Sequence, residues 1–392
     1  IKEFKGLRDI SINFEKNDKP LDLVVLAGSN GSGKTRILES ILDYFQKIVN
    51  HTENKNVAGV FFETDEQNCL NQGYDSNMLY LILNYYNDEN NVERGRKVVE
   101  ENLKVFPKII YVPTETNFQK VEIASPMLVR EYKFLNIVDT GLIKDVPSYI
   151  ATKIIEMAND QEDTPMQEIR TAVFKEINEI FEILDLDIKI SGISKNAKSI
   201  PIFTNSSGDK FDINELSSGE KQLFLRTLAI RMLNPENSII LIDEPELSLH
   251  PKWQQRIVDV YRKIGKNNQI IIATHSPHIL GSVRKENIML LDKDDDGKIV
   301  VRTGDELYDS YGQPTERILE DIMGLKTTRN QEIFDKLEKI REMVNEDKYE
   351  TDDFKKEYGD LKEILGTMDE DIMLIDMEIQ IRRKGLKNVK NK

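Results

Sequence analysis

One cysteine, Cys69, is all that the 392 residues contain. That count excludes a disulfide framework and a cysteine-ligated zinc site. Histidine is scarce as well, with four in the chain, too few and too scattered for a zinc or HNH-like cluster. No apolar run approaches the length of a membrane span, and the opening lacks the pattern of a secretory signal. The cytoplasm is therefore the expected location, with no membrane partner. The chain starts at Ile1 rather than Met, which implies that a few residues precede it. Basic charge is in deficit, with a formal net charge of −15. This argues against a protein that coats nucleic acid indiscriminately, while a local basic face could still take DNA or RNA. Internal repeats and long low-complexity linkers are missing too.

What is present is a globular composition, with 39% hydrophobic and 31% charged residues. The first is adequate for a core, and the second implies much solvated helix surface. The length suits one large α/β head with inserted or appended pieces. Asp9 to Glu15 alternates polar and apolar, which predicts a half-buried strand. Leu21 to Ala27 is nearly continuous apolar, as a buried parallel strand is. Lys108–Pro113, Ser238–Ile242 and Gln269–Ala273 read as further core strands. Asp187–Ile190, Ser199–Thr204 and Asp209–Ile213 read as short strands, with a hairpin turn at Ser206–Asp209. Asn287–Leu291 and Lys298–Arg302 form an expected hairpin through Asp294–Gly297. The stretch from His51 to Lys104 is polar and weakly patterned, Ser125 to Leu184 is mostly helical, and the chain beyond Thr315 is helical and heavily charged.

The strongest chemical signal is Gly28-Ser29-Asn30-Gly31-Ser32-Gly33-Lys34-Thr35, between a buried strand and an amphipathic helix. It fits the phosphate-loop pattern G-x-x-x-x-G-K-[ST] throughout. Such a loop curls backbone N–H groups around phosphates at a helix N-terminus, where the dipole favours anions. Lys34 adds a point charge, and Thr35 offers its hydroxyl to Mg²⁺. The second signal is the apolar run Ile239–Ile242 ending in Asp243-Glu244-Pro245. It puts two carboxylates at the carboxyl end of a buried strand, where open α/β sheets bind ligands. Asp243 would hold Mg²⁺, and Glu244 would orient and deprotonate the attacking water. ATP and Mg²⁺ are thus the expected ligands.

Leu216-Ser217-Ser218-Gly219-Glu220 opens an apolar helix. Alone it reads as an ordinary helix cap. Placed just ahead of Asp243-Glu244 it resembles the LSGGQ signature of the ABC ATPases, with Ser218 for the first glycine and Glu220 for the glutamine. His275, in Ala273-Thr274-His275-Ser276-Pro277, resembles the switch histidine of that superfamily, which contacts the γ-phosphate. Glu246-Leu247-Ser248-Leu249-His250-Pro251 lies where its D-loop lies. The Leu-His-Pro ending and Phe4-Lys5-Gly6-Leu7 resemble the RecF, SMC and OLD branch. The resemblance implies a Q-loop glutamine, for which Gln119 is the candidate. It also implies that the signature residues Ser217, Ser218, Gly219 and Glu220 of one head touch the ATP held by another, so that two heads sandwich two ATP molecules.

The implied fold is an ABC-ATPase head: a mostly parallel sheet with the phosphate loop, an antiparallel N-terminal β-subdomain and an inserted helical lobe, followed by a C-terminal helical segment. The expected divisions are residues 1–50 and 209–312 for the two parts of the head, 51–208 for the inserted lobe and 313–392 for the helical segment. The tail Glu316–Leu325 and the charged helices after it resemble the PtuA-type ATPases of Septu anti-phage systems, which also serve some retrons. That resemblance implies a regulatory or scaffolding ATPase, assembled with itself and with a separate HNH nuclease subunit. An ATP-dependent DNA clamp of the RecF or SMC kind is the alternative, and a transporter motor fits poorly for want of its helical lobe. Ile333, Leu337, Ile340 and Val344 form an apolar stripe that would either dock the partner or pack on the chain's own head. Asp292-x-Asp294-x-Asp296-Gly297 begins like a calcium loop, but Thr303 stands where the bidentate Glu is required. The short helical region after Gly304 is not expected to form a TOPRIM nuclease.

Overall fold

The computed structural model describes residues 1–16, 19–49, 107–114, 134–194, 200–294 and 296–390. Residues 51–104 and Gln119, to which the sequence assigned an insertion and a Q-loop, lie outside these. The chain divides into two compact units, Ile1–Ile318 and Leu319–Lys392. The division falls slightly later than the expected boundary at 312/313.

The first unit begins with four short strands, β1 (Glu3–Phe4), β2 (Leu7–Arg8), β3 (Glu15–Lys16) and β4 (Lys19–Pro20), paired antiparallel as β1–β2 and β3–β4. The strand expected over Asp9–Glu15 does not form a ladder. Its alternation is real, since Ile10 is buried and Ile12 and Phe14 pack against the core. However, Asp9 takes a positive φ of 49°, which breaks extended pairing after β2.

The main sheet is built from the apolar runs. β5 (Leu23–Gly28) is buried at every residue and leads through the phosphate loop into α1 (Lys34–Val49). Next come β6 (Ile109–Val112), β7 (Leu135–Ile137), α2 (Thr140–Asp160), α3 (Met166–Ile183), β8 (Ile188–Ile193), β9 (Pro201–Asn205), β10 (Lys210–Asp212) and α4 (Ser218–Met232). β11 (Ile239–Asp243), β12 (Gln269–Ala273), β13 (Ile288–Lys293) and β14 (Ile299–Thr303) follow, with short helices between and after them. The seven-stranded sheet runs β14-β13-β5-β12-β11-β6-β7, and every pairing is parallel except β13–β14. Strands this apolar suit a sheet covered on both faces. Ile37, Leu38, Ile41 and Leu42 of α1 are buried against it, each contributing roughly 2 kcal/mol of apolar burial.

Because β6 and β7 belong to this sheet, the span 51–208 is not one inserted lobe. The lobe proper is α2 and α3 with the antiparallel sheet β10-β9-β8. Its hairpin turn sits as expected, with Gly208 donating its N–H to the Asn205 carbonyl. The β13–β14 hairpin likewise closes through Gly297 onto Asp294, a turn geometry rather than a calcium loop.

The lobe fixes the helix that carries the signature. Phe224 of α4 stacks on Phe181 of α3 at 5.9 Å and meets Phe203 of β9 edge-on at 5.1 Å. At the other end of α4, Arg231 forms an ion pair with Glu176 at 2.7 Å, and Lys153 joins the same carboxylate.

The second unit is a bundle of α5 (Gln331–Asn345), α6 (Asp352–Leu365) and α7 (Glu370–Lys390). Leu337, Ile340 and Val344 are almost wholly buried and Ile333 packs beside them, together with Phe354, Leu361, Ile372 and Ile375 from the other helices. The stripe therefore forms the bundle's own core. Both expectations for it, a partner dock and a cap on the head, are corrected: the pattern marked an amphipathic helix, and its cover came from helices later in the chain.

Candidate functional site: a phosphate loop with two strand-end carboxylates

Parallel register brings the chemistry to one rim. Asp243 pairs with Ala273, and Ala273 pairs with Leu26, so β11, β12 and β5 end side by side. Asp243 and Glu244, then His275, then the phosphate loop emerge from neighbouring strand ends, where open α/β sheets place their ligands.

The loop's shape depends on glycine at two positions. Gly28 has φ +145°, and a Cβ there would lie 2.3 Å from the Leu291 carbonyl oxygen. Gly33 has φ +97°, and its Cβ would strike Leu7 at 2.6 Å. Lys34, almost fully buried, donates to the carbonyls of Gly28 at 2.9 Å and Ser29 at 3.0 Å. Burial lowers its pKa, and the carboxylates of Glu244, Glu246 and Asp243 oppose that shift. Ser32 Oγ is buried with no hydrogen-bond partner among the described residues. An orphaned hydroxyl within a glycine-rich loop at a helix N-terminus fits a phosphate group.

Thr35 Oγ1 donates to Asp243 Oδ1 at 3.1 Å. Asp243 is 2% exposed. Burial raises its pKa, while hydrogen bonds from Thr114 and Thr35 pull it back. A hydroxyl and a desolvated carboxylate at this separation suit a hard divalent cation, and Thr35 with Asp243 would hold Mg²⁺.

Glu244 has a positive φ of 43°, a strained conformation for a residue with a side chain. Its N–H donates to the Ala273 carbonyl at 2.9 Å, and its own carbonyl accepts from Arg226 Nη1 at 3.2 Å. Its carboxylate oxygen Oε1 lies 3.4 Å from His275 Nδ1. The same nitrogen is 3.6 Å from Glu246 Oε1, which also accepts from Thr274 Oγ1 at 2.6 Å and the His275 N–H at 2.9 Å. The second Glu246 oxygen is buried with no partner among the described residues.

The signature stands apart from this cluster as a capping box. The Ser217 hydroxyl accepts from the Glu220 N–H at 3.3 Å, and Glu220 Oε2 accepts from the Ser217 N–H at 2.9 Å. Ser217 and Ser218 are exposed. Gly219 is buried, and a Cβ there would lie 2.7 Å from the Ser248 carbonyl oxygen and 3.2 Å from Trp253.

Three residues of the site were missed in the sequence. Arg226, 1% exposed, gathers the carbonyls of Glu244, Pro113 and Thr114 at 3.2, 2.8 and 3.1 Å. Its signal was a lone charge in the apolar run Leu223–Ile230. Glu246 was visible only as part of a loop motif, and Thr114 as a residue after a strand.

A phosphate loop, a carboxylate pair on the neighbouring strand end, a histidine beyond the next strand and a capped serine signature together resemble the motif set of the ABC-type ATPases of the RecF, SMC and OLD branch. A family model described as "AAA domain, putative AbiEii toxin, Type IV TA system" matches residues 113–281. The chain is similar to the Septu protein PtuA of Bacillus thuringiensis, 28% identical over 385 residues that cover 89% of this chain and 91% of that protein. It is also similar to the Retron Ec83 probable ATPase of Escherichia coli, 29% identical over 48% of this chain but only 34% of that protein. A shorter match, 30% identical over 29% of this chain and 13% of the relative, is to the DNA double-strand break repair Rad50 ATPase of Sulfolobus acidocaldarius.

Proposed function

We propose that the chain binds ATP with Mg²⁺ and hydrolyses it at a site completed by a second copy, and that this cycle regulates or scaffolds a separate HNH nuclease in anti-phage defence. The observation that carries the first half is the division of the motifs. Lys34, Thr35, Asp243, Glu244 and His275 converge on one rim, while Ser217 and Ser218 stay exposed, capped on themselves. An exposed helix N-terminus with a free face suits a phosphate held by another head.

The chemistry follows from the side chains. The phosphate loop and Lys34 bind and orient the β- and γ-phosphates, with the ammonium exchanging the Gly28 and Ser29 carbonyls for phosphate oxygens. Mg²⁺ between Thr35 and Asp243 would neutralise developing charge on the phosphate oxygens. Glu244 takes the proton of the attacking water, and the fixed backbone around it limits where that water can sit. His275, whose Nδ1 lies 3.4 Å from Glu244 Oε1, would donate a hydrogen bond to the γ-phosphate. The defence role rests on the near full-length similarity to a Septu protein. The clamp reading draws on the short Rad50 match.

Two experiments test the proposal. Glu244→Gln keeps the metal ligand and removes the base, so ATP-bound pairs should accumulate. Light scattering that shows no ATP-dependent association in this variant counts against the sandwich. Co-purification from the native operon should recover an HNH subunit by mass spectrometry, and recovery of DNA-repair proteins instead favours the clamp.

A further inference from the structure

The last helix of the bundle has two apolar faces. Ile372, Ile375 and Ile379 of α7 face the bundle core. On its other side Met373, Leu374, Met377 and Ile381 are 45, 55, 56 and 67% exposed. They fall within about 100° on a helical wheel and make one continuous stripe. Scattered exposed apolar residues need no explanation, but a stripe of four on one helix face does.

The ends of the stripe say what covers it. Glu370 and Lys384 lie on the same face as Met373, Met377 and Ile381, and both are exposed. In sequence the five are separated by 3, 4, 4 and 3 residues, so the row reads the same in either direction about Met377. Its chemistry is complementary under reversal: an acid at one end, a base at the other and apolar side chains between.

We propose that two copies of the chain pair through α7, antiparallel, about a two-fold axis at Met377. In that register Met377 meets its own copy, Met373 meets Ile381, and each Glu370 faces a Lys384. A parallel pair would set acid on acid and base on base. An unrelated partner would place no demand on the symmetry of the row. The spacing suits a left-handed helix pair, and an isologous contact of this kind is self-complementary by construction. The pairing involves no residue of the ATP site, so it stands apart from the nucleotide-driven association of heads and needs no ATP. A seam of about four turns is at the small end of specific interfaces, so its dissociation constant should be roughly micromolar.

The test is sedimentation equilibrium of the full, nucleotide-free chain from nanomolar to high micromolar concentration. The mass should rise from 45.3 kDa towards twice that value. Met377→Glu puts two carboxylates face to face on the axis and should weaken pairing on the order of a hundredfold. Because Met377 is exposed, the variant should keep its circular dichroism and melting temperature. Glu370→Lys should weaken pairing about tenfold through two repulsive contacts, and Glu370→Lys with Lys384→Glu should restore it. A monomer at every concentration overturns the proposal, as does a dimer indifferent to Met377→Glu. A dimer sensitive to Met377→Glu but not rescued by the charge exchange overturns the antiparallel register.

Discussion

Arg226 offers the sharpest perturbation of the ATP site, because it touches the backbone of the site and not the nucleotide. Its guanidinium is almost wholly buried and bonds three carbonyl oxygens, including that of the strained Glu244. Arg226→Lys keeps the charge and most of the stem but replaces a planar fork by a single ammonium. One or two of the three carbonyls then lose their donor inside the protein. At about 1–3 kcal/mol for each buried group left unpaired, the fold should lose roughly 2–4 kcal/mol. The loss falls unevenly on function. Lys34 is held by Gly28 and Ser29, away from these carbonyls, so nucleotide affinity should stay within about threefold of the parent. The Glu244 peptide loses a restraint on φ, and misplacement of its carboxylate should lower kcat by roughly a hundredfold. Urea unfolding gives the stability change, calorimetry with a non-hydrolysable ATP analogue gives the affinity, and phosphate release gives kcat. A folded Arg226→Lys with unchanged kcat, or with affinity and kcat lost in equal measure, refutes the reasoning.

Lys34→Ala removes the charge that faces the phosphates, and Mg²⁺-dependent ATP binding in calorimetry should disappear. Ser217→Arg should leave binding at the phosphate loop nearly intact and stop turnover; mixed with Lys34→Ala, it should recover part of the hydrolysis, since one site of each mixed pair carries neither change. Full activity of Ser217→Arg alone rules out a shared site. Asp243→Asn bears on pH. Burial raises the Asp243 pKa above its unfolded value, so the charged form penalises the fold at neutral pH, and the penalty fades as pH falls through the folded pKa towards the unfolded one. The metal-free Asn variant should therefore melt higher than the parent near pH 7, with a difference that shrinks on acidification. A difference that is constant or grows towards acid contradicts the buried carboxylate.

The head was legible because its signals are local. A buried parallel strand reads as an unbroken apolar run, and β5, β11 and β12 were each found within a few residues of their true bounds. Phosphate binding needs glycines at fixed offsets, so Gly28 and Gly33, with φ of +145° and +97°, mark the loop in the sequence itself. What failed was relational. Sequence spacing cannot tell that Arg226 on α4 reaches the end of β6, 112 and 113 residues away along the chain. The stripe on α5 was read correctly as apolar and helical, but its cover came from α6 and α7, which periodicity cannot pair with it. The N-terminal alternation promised a ladder that a positive φ at Asp9 interrupts.

The close fit of Gly219 against Ser248 has a kinetic consequence. The segment from Glu244 to Leu249 is braced by successive turns, Leu247 N–H to the Glu244 carbonyl at 3.3 Å and Leu249 N–H to the Glu246 carbonyl at 2.9 Å. Ser248, itself at φ +62°, presents its carbonyl to a glycine that leaves no room for a methyl group. A push on the serines at the start of α4 is therefore transmitted to the base-bearing turn of the same chain through rigid contacts. In a sandwich, those serines sense the nucleotide of the opposite head, so occupancy on one side sets the alignment of the carboxylate on the other. Turnover against ATP concentration should then be sigmoidal, and a pair with one working site should fall short of its proportional share of the rate. The dimer would respond more than twice as strongly to two nucleotides as to one, so the hydrolysis recovered by a mixed pair with one working site should be partial and below half of the parent rate.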